Sequence, residues 1–352
     1  MVPHTSLRCR TFARQLNQRR LSSATRLPVP NYTLVKSSIA IIGVSSAIAA
    51  YFLLLDQSRS LPTHAEQALS PSHFSPATLV DSVQTSPDTK LLTLSLRPEL
   101  IPQDSQQFAP IWSVFIKDDD IQVERPYTPL QGIDEDGHMS FWIKKYDRGE
   151  VARWLHSKQP GSSIEIRGPL KTWVWRDDDT WDDIIMVSGG TGITPFYQLL
   201  HNVFSKKTAF NGRFTLLHAS KTPVDLPPSS MMDFLNSLAE QHPDKFKFRV
   251  FVDSLDGQTE SKPPLDLICE HIGKSAIQDA LGLQCNTPWW KWFSRSATVP
   301  TVTRDQKVLV LVCGPERMVN AIAGPYGRNY SQGKVAGILG ELGLQSHQVW
   351  KL

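Results

Sequence analysis

Arg125-Pro126-Tyr127-Thr128 places a guanidinium, a phenol and a hydroxyl within four residues. On a strand these side chains alternate faces. Arg125 suits a pyrophosphate through charge-assisted hydrogen bonds. Tyr127 suits a flat ring system, and Thr128 has a hydroxyl to donate to it. A surface strand with an ordinary Arg and a core Tyr would read the same way. Downstream, Gly149 opens a short helical stretch whose free N–H groups would face an anion, with Lys145 just before it. Farther on, Gly189-Gly190-Thr191-Gly192 follows a buried apolar run, and Pro195 sets the first turn of the next helix. Such glycines permit tight turns and close approach of a flat or phosphate-bearing ligand. The spacing is not G-x-G-x-x-G. Cys313, followed by Gly314 and Pro315, closes another apolar run. As a lone thiol it is either a buried small hydrophobe or part of a ligand wall.

Two regions must position these residues. In 76–180, LLTLSLRP, IWSVFIKD, ERPYTPL, MSFWIKKY and SSIEIRGPL alternate apolar and polar residues between Pro and Gly breaks. They predict a small antiparallel barrel, interrupted by one helix over 149–158 with Val151, Trp154 and Leu155 on one face. In 181–352, strands alternate with helices. IIMVSGG, RFTLLHAS, FKFRVFVDS and VLVLVCG read as strands; TPFYQLLHNVF, MMDFLNSLAEQH and PERMVNAIA read as helices. That alternation predicts a doubly wound parallel sheet, with ligands at the carboxyl ends of its strands.

The front of the chain differs. The 352 residues carry 37 Lys and Arg and 34 Asp and Glu, yet no acid precedes Asp56. Residues 1–37, rich in Arg and Ser, have the composition of a mitochondrial presequence. Residues 38–55 are uncharged and just long enough to span a bilayer, so they predict one N-terminal transmembrane helix. Positive charge on its N-terminal side places the catalytic part opposite the matrix, in the intermembrane space. Residues 56–75 read as a polar linker. The remainder is mildly acidic, which argues against a nucleic-acid partner. Of the four cysteines, Cys269 and Cys285 are either a disulfide or two free thiols; none has the spacing of a metal site.

With these residues placed, the chain over about 76–352 resembles the ferredoxin-NADP reductase superfamily, and within it the cytochrome b5 reductase branch. R-P-Y-T at 125–128, G-G-T-G-I-T-P at 189–195 and C-G-P-x-x-M at 313–318 occur in the family's order. The resemblance implies an FAD-binding antiparallel β-barrel followed by an NAD(P)-binding doubly wound domain. It implies that Arg125 contacts the FAD pyrophosphate and that Tyr127 and Thr128 contact the isoalloxazine side. The second flavin segment resembles Ile143 to Ala152, with Gly149, Glu150, Val151 and Ala152 at the phosphate; the family usually has Ser where this chain has Ala152. Thr191 is implied at the flavin–nicotinamide junction, as a catalytic residue with Cys313, which shapes where the hydride donor sits. Gly189, Gly190, Gly192, Pro195, Gly314, Pro315 and Met318 are implied along the nicotinamide path. Asp253, at the end of a strand, suits a ribose 2′-hydroxyl and points to NADH, while Lys221 keeps NADPH open.

Two departures stand out. A short acidic and aromatic stretch, KTWVWRDDDTWDD, replaces a longer family segment. A long insertion contains Thr287-Pro288-Trp289-Trp290-Lys291-Trp292-Phe293, which is either local core or an interaction surface. The whole layout is most similar to fungal mitochondrial flavoproteins that assist cytochrome c haem attachment. That likeness implies a haem or haem-protein acceptor, with cytochrome c and its haem lyase as partners at the inner membrane.

Overall fold

The computed structural model describes residues 61–104, 107–119, 122–175, 180–205, 212–256, 267–283 and 307–352. The presequence expected at 1–37, the spanning helix at 38–55, Cys285 and the Trp-rich stretch 287–293 lie outside them. Among the described residues, no helix is long and apolar enough to cross a membrane. Cys269 and Cys313 are free thiols.

The first sheet is antiparallel and six-stranded. Its strands are β1 (Ser75–Ser86), β2 (Thr89–Ser95), β3 (Ile111–Lys117), β4 (Glu124–Tyr127), β5 (His138–Lys144) and β6 (Ser163–Trp173), in the order β4-β3-β6-β1-β2-β5. Alternation explains most of it: Ile111, Val114, Ile116, Met139, Phe141, Ile143, Ile164 and Ile166 are buried. The long β1 was not among the expected strands. Its outer half, from Val80 on, is largely exposed and polar, so it carries no clear apolar period. Its first residues pair with β6 and its later ones with β2, so one strand bends across the sheet. Helix α1 (Glu150–Ser157) buries Val151, Ala152, Trp154 and Leu155 against this sheet, as the one-sided apolar pattern predicts. Residues 61–75, within the stretch expected as linker, are mostly exposed but anchored at points: Leu69 and Phe74 are buried, and Lys117 lies over the Phe74 ring while pairing with Glu165 at 2.6 Å. Two buried apolar residues among scattered Pro and Ser were too sparse a signal to read.

The second sheet is parallel throughout. Strands β7 (Asp183–Gly189), β8 (Arg213–Ser220), β9 (Phe246–Val252), β10 (Leu267–Ile268), β11 (Val308–Cys313) and β12 (Val349–Lys351) stand in the order β10-β9-β8-β7-β11-β12. Between them run α2 (Thr194–Ser205), α3 (Ser229–Gln241), α4 (Lys274–Ala280), α5 (Glu316–Ala323) and α6 (Gly337–Glu341). The chain builds outward from β7 to β10, then returns to the other side of β7 for β11 and β12. The order therefore reverses between β7 and β11, and a crevice forms at the carboxyl ends of strands at such a reversal. Both glycine-containing turns, 189–192 and 313–315, sit there.

Backbone contact locks those two turns together. A Cβ on Gly192 would lie 2.5 Å from the Cys313 carbonyl oxygen and 2.8 Å from Gly314 Cα. A Cβ on Gly189 would meet Met318 Sδ at 2.7 Å, and one on Gly314 would meet Met318 Cε at 2.6 Å. At Gly192, where the obstacle is backbone, glycine is a packing requirement; at Gly189 and Gly314 the nearest obstacle is the flexible end of the Met318 side chain. Met318, at the start of α5, fills the space that side chains would otherwise take.

The two sheets share a core. Ile111, Leu130, Trp142 and Trp173 from the first pack with Ile193, Phe196 and Leu200 around α2. At their centre Gln198 is fully buried. The Trp112 N–H donates to its Oε1 at 2.8 Å, and its Nε2 donates to the Pro129 carbonyl at 2.8 Å. Each amide end is satisfied by backbone of the first sheet, which fixes α2 and the turn before it relative to β3 and to the chain after β4.

Gly192→Ala is expected to cost about 1–3 kcal/mol of folding stability, as overpacking does. Denaturant unfolding checks this, and a midpoint equal to that of the unaltered chain would show that the two turns have room to spare.

Candidate functional site

A cleft of about 570 Å³ opens where the two sheets meet. Its walls come from both edge strands of the first sheet: β4 supplies Arg125 to Tyr127, followed by Thr128, and β5 supplies Phe141 to Lys144. Those two strands are the ends of the sheet order, so the sheet curls until its edges face a common space. The start of α1 adds Gly149, Val151 and Ala152. The second sheet adds Gly189, Thr191, Gly192 and Pro195 from the first turn, and Cys313, Gly314 and Pro315 from the other. The structure thus gathers Arg125, Tyr127, Thr128, Ile143, Gly149, Val151, Ala152, Gly189, Thr191, Gly192, Pro195, Cys313, Gly314 and Pro315 from segments far apart in the chain.

Four expected residues fall outside the wall. Lys145 follows the end of β5, where its N–H donates to the Asp88 carbonyl at 2.7 Å, and Lys144 lines the cleft instead. Gly190 has φ +53° and nothing within 4 Å of a notional Cβ, so its role is to turn the chain. Met318 lies beneath Gly189 and Gly314 as packing. Asp253, just past β9, pairs with His271 at 2.7 Å away from this cleft. Glu150, expected at the phosphate, also lines the cleft, and the structure adds residues not singled out from the sequence: Trp142, Tyr146, Arg148 and the C-terminal Leu352. Leu352 arrives through the three-residue β12, whose parallel pairing with β11 puts Trp350 beside Leu311. A strand that short gives no periodic signal.

The electrostatics follow from the partners. Arg167 takes both carboxylate oxygens of Glu124, at 2.7 and 2.8 Å. Arg125 is left with the Glu124 carbonyl at 2.8 Å, so its charge remains available to the cleft. Lys144 is committed: its Nζ lies 2.7 Å from Asp225 Oδ1 on the second sheet's side. Partial burial would raise the Asp225 carboxyl, but hydrogen bonds from Lys144 and Thr222 outweigh it and hold the group below the usual range. Burial raises the Tyr127 phenol, against the pull of Arg125, so the ring is neutral. Burial also pushes the Cys313 thiol up to about 12. Although partly open to the cleft, it is a protonated, non-nucleophilic wall.

Behind the first glycine turn, Ser188 pairs in register with Cys313. The Ser188 hydroxyl is hydrogen-bonded to His218 Nδ1 at 2.9 Å, and His218 Nε2 to Ser220 Oγ at 3.1 Å. Complete burial pushes His218 down to about 3, so the imidazole is neutral and joins one hydroxyl to the other without a buried charge.

These residues fit a flavin dinucleotide. The Arg125 guanidinium, which has no carboxylate partner among the described residues, stands in the same cleft as the start of α1, whose N-cap is Gly149. The cleft lies within the roughly 300–1,000 Å³ of small-molecule sites. The glycine turns give a floor without side chains, on which a second flat ring could lie against the first, with Cys313 and Thr191 beside it.

The comparisons agree with this reading. Residues 76–175 match the oxidoreductase FAD-binding domain family, and residues 186–324 match the oxidoreductase NAD-binding domain family. The NADH-cytochrome b5 reductase 2 of Scheffersomyces stipitis is 29% identical over 273 residues, covering 78% of this chain and 81% of that protein. The protein of the same name from Meyerozyma guilliermondii is 31% identical over 229 residues, 65% of this chain and 67% of the relative. The cytochrome b5 reductase domain of Ulva prolifera nitrate reductase shares the fold, with a TM-score of 0.59 at 19% identity, covering 81% of this chain and all of that one. The chain is an FAD-dependent NADH oxidoreductase and belongs to the ferredoxin-NADP reductase superfamily, among the NADH-cytochrome b5 reductase-like proteins.

Proposed function

We propose that the chain carries electrons from NADH to a haem iron, anchored by residues 38–55 in the mitochondrial inner membrane with its catalytic part in the intermembrane space. There it serves cytochrome c haem attachment, next to the haem lyase. The observation that carries the redox part is the meeting of Tyr127 and Thr128 with Thr191 and Cys313 in one cleft. When bound, FAD accepts a hydride from NADH and releases electrons singly. The protein orients the two rings, with Arg125 on the diphosphate and the glycine floor under the nicotinamide. No side-chain acid or base is needed, which fits a Cys313 thiol that burial keeps protonated. The mitochondrial part rests on the acid-free, Arg-rich first 37 residues and the uncharged stretch after them. A second reading, reduction of cytochrome b5, is favoured by the names of the relatives.

Anaerobic bleaching of the flavin distinguishes the donors, with NADH expected to act faster than NADPH. A scan of acceptors then separates the two readings. Faster turnover with haemin than with cytochrome b5 is expected, and the reverse preference would replace the first reading with the second. In intact mitochondria the catalytic part should resist protease, and in mitoplasts it should be digested; digestion only after the matrix is opened would reverse the topology. Site-resolved mass spectrometry after iodoacetamide treatment at pH 8 should show exposed Cys269 alkylated well before Cys313, whose labelling should climb only as pH approaches about 12. Rapid labelling of Cys313 at pH 8 would mean that the thiol is far more acidic than its burial implies.

A further inference from the structure

We propose that Arg148 is a second guanidinium holding the FAD diphosphate, opposite Arg125; the proposal rests on FAD occupying this cleft. A diphosphate carries two negative charges, and Arg125 supplies one positive one. The other cations nearby are committed. Lys144 is paired with Asp225 at 2.7 Å, and Lys158 with Asp119 at 3.1 Å. Lys145 does not line the cleft. Arg148 does line it and has no hydrogen bond or ion pair with any described residue.

Its backbone is set to present the side chain. The Gly149 N–H donates to the Tyr146 carbonyl at 3.0 Å, closing a four-residue turn with Arg148 next to last. The Arg153 side chain donates from Nη1 to the Asp147 carbonyl at 3.3 Å, which ties this turn to α1. The helix begins immediately after, so the free N–H groups of its first turn and Arg148 border the same cleft. Ala152, in that first turn, has no polar side-chain atom to offer an anion. Arg148 supplies charge where that side chain supplies nothing. Glu150 lines the same cleft with the opposite sign and works against it.

The test is titration of the full-length apoprotein with FAD and with riboflavin, which lacks the diphosphate, at low and high salt. Loss of one charged hydrogen bond predicts about tenfold weaker FAD binding by Arg148→Gln at low salt. The loss should shrink with added salt, and riboflavin affinity should be unchanged. Glu150→Gln should move FAD affinity the other way, and Arg148→Lys should recover part of the loss. Equal FAD affinity in Arg148→Gln and the unaltered chain overturns the proposal, as does parallel weakening of FAD and riboflavin, which would mark a structural role. Arg125→Gln separates this from the underlying reading. If it weakens FAD while Arg148→Gln does not, only Arg148 was misassigned; if neither matters, the diphosphate lies elsewhere.

Discussion

The backbone contact between the turns after β7 and β11 sets the geometry on which the site depends. Two strands that are neighbours in the sheet but more than 100 residues apart in the chain end side by side. The reversal of strand order leaves a crevice between their ends. Here Gly192 approaches the Cys313 carbonyl so closely that a single added carbon would overlap it. Met318 supports the pair from beneath, and the Ser188–His218–Ser220 chain holds the adjoining strand without placing a charge in the core. The result is a backbone platform held by close contact between the two turns and by Met318.

A platform is useful only if it faces something, and the junction between the sheets decides that. Gln198 fixes α2, the helix leaving the platform, to the backbone of the first sheet through both ends of its amide. Lys144 and Asp225 add a charge pair across the same junction, partly buried and therefore less screened than a surface pair. Burying an amide and an ion pair between two layers requires good geometry, since an unmet partner costs more than a made one contributes. The curled first sheet completes the arrangement. Its unpaired edges, β4 and β5, would elsewhere invite another strand; here they form the walls of a ligand site.

Much of this was legible beforehand. Alternation in IWSVFIKD and MSFWIKKY reported half-buried strands, and unbroken apolar runs such as IIMVSGG and VLVLVCG reported strands covered on both faces. Arg125, Tyr127, Thr191 and Cys313 could be picked out because their residue types suit an anion, a flat ring and a close approach. What escaped notice had no period or no motif. The outer half of β1 is polar because it is exposed. Leu69 and Phe74 are lone anchors in a polar stretch. Arg148 looks like an ordinary surface charge until the turn at Tyr146–Gly149 brings it to the cleft wall.

The sequence by itself determined the two kinds of sheet, the order of the motifs and the residue types able to meet a dinucleotide, because those properties are local: side-chain period, charge and the need for glycine at a tight turn. Only the tertiary structure decided which of them share a cleft. Lys144 takes the place expected of Lys145 because of where β5 ends. Asp253 lies elsewhere because β9 is two strands away from the reversal. Leu352 enters because β12 pairs with β11. Each of these outcomes is a matter of strand order and register, which depend on contacts between segments distant in the chain and leave no mark in any short stretch of it.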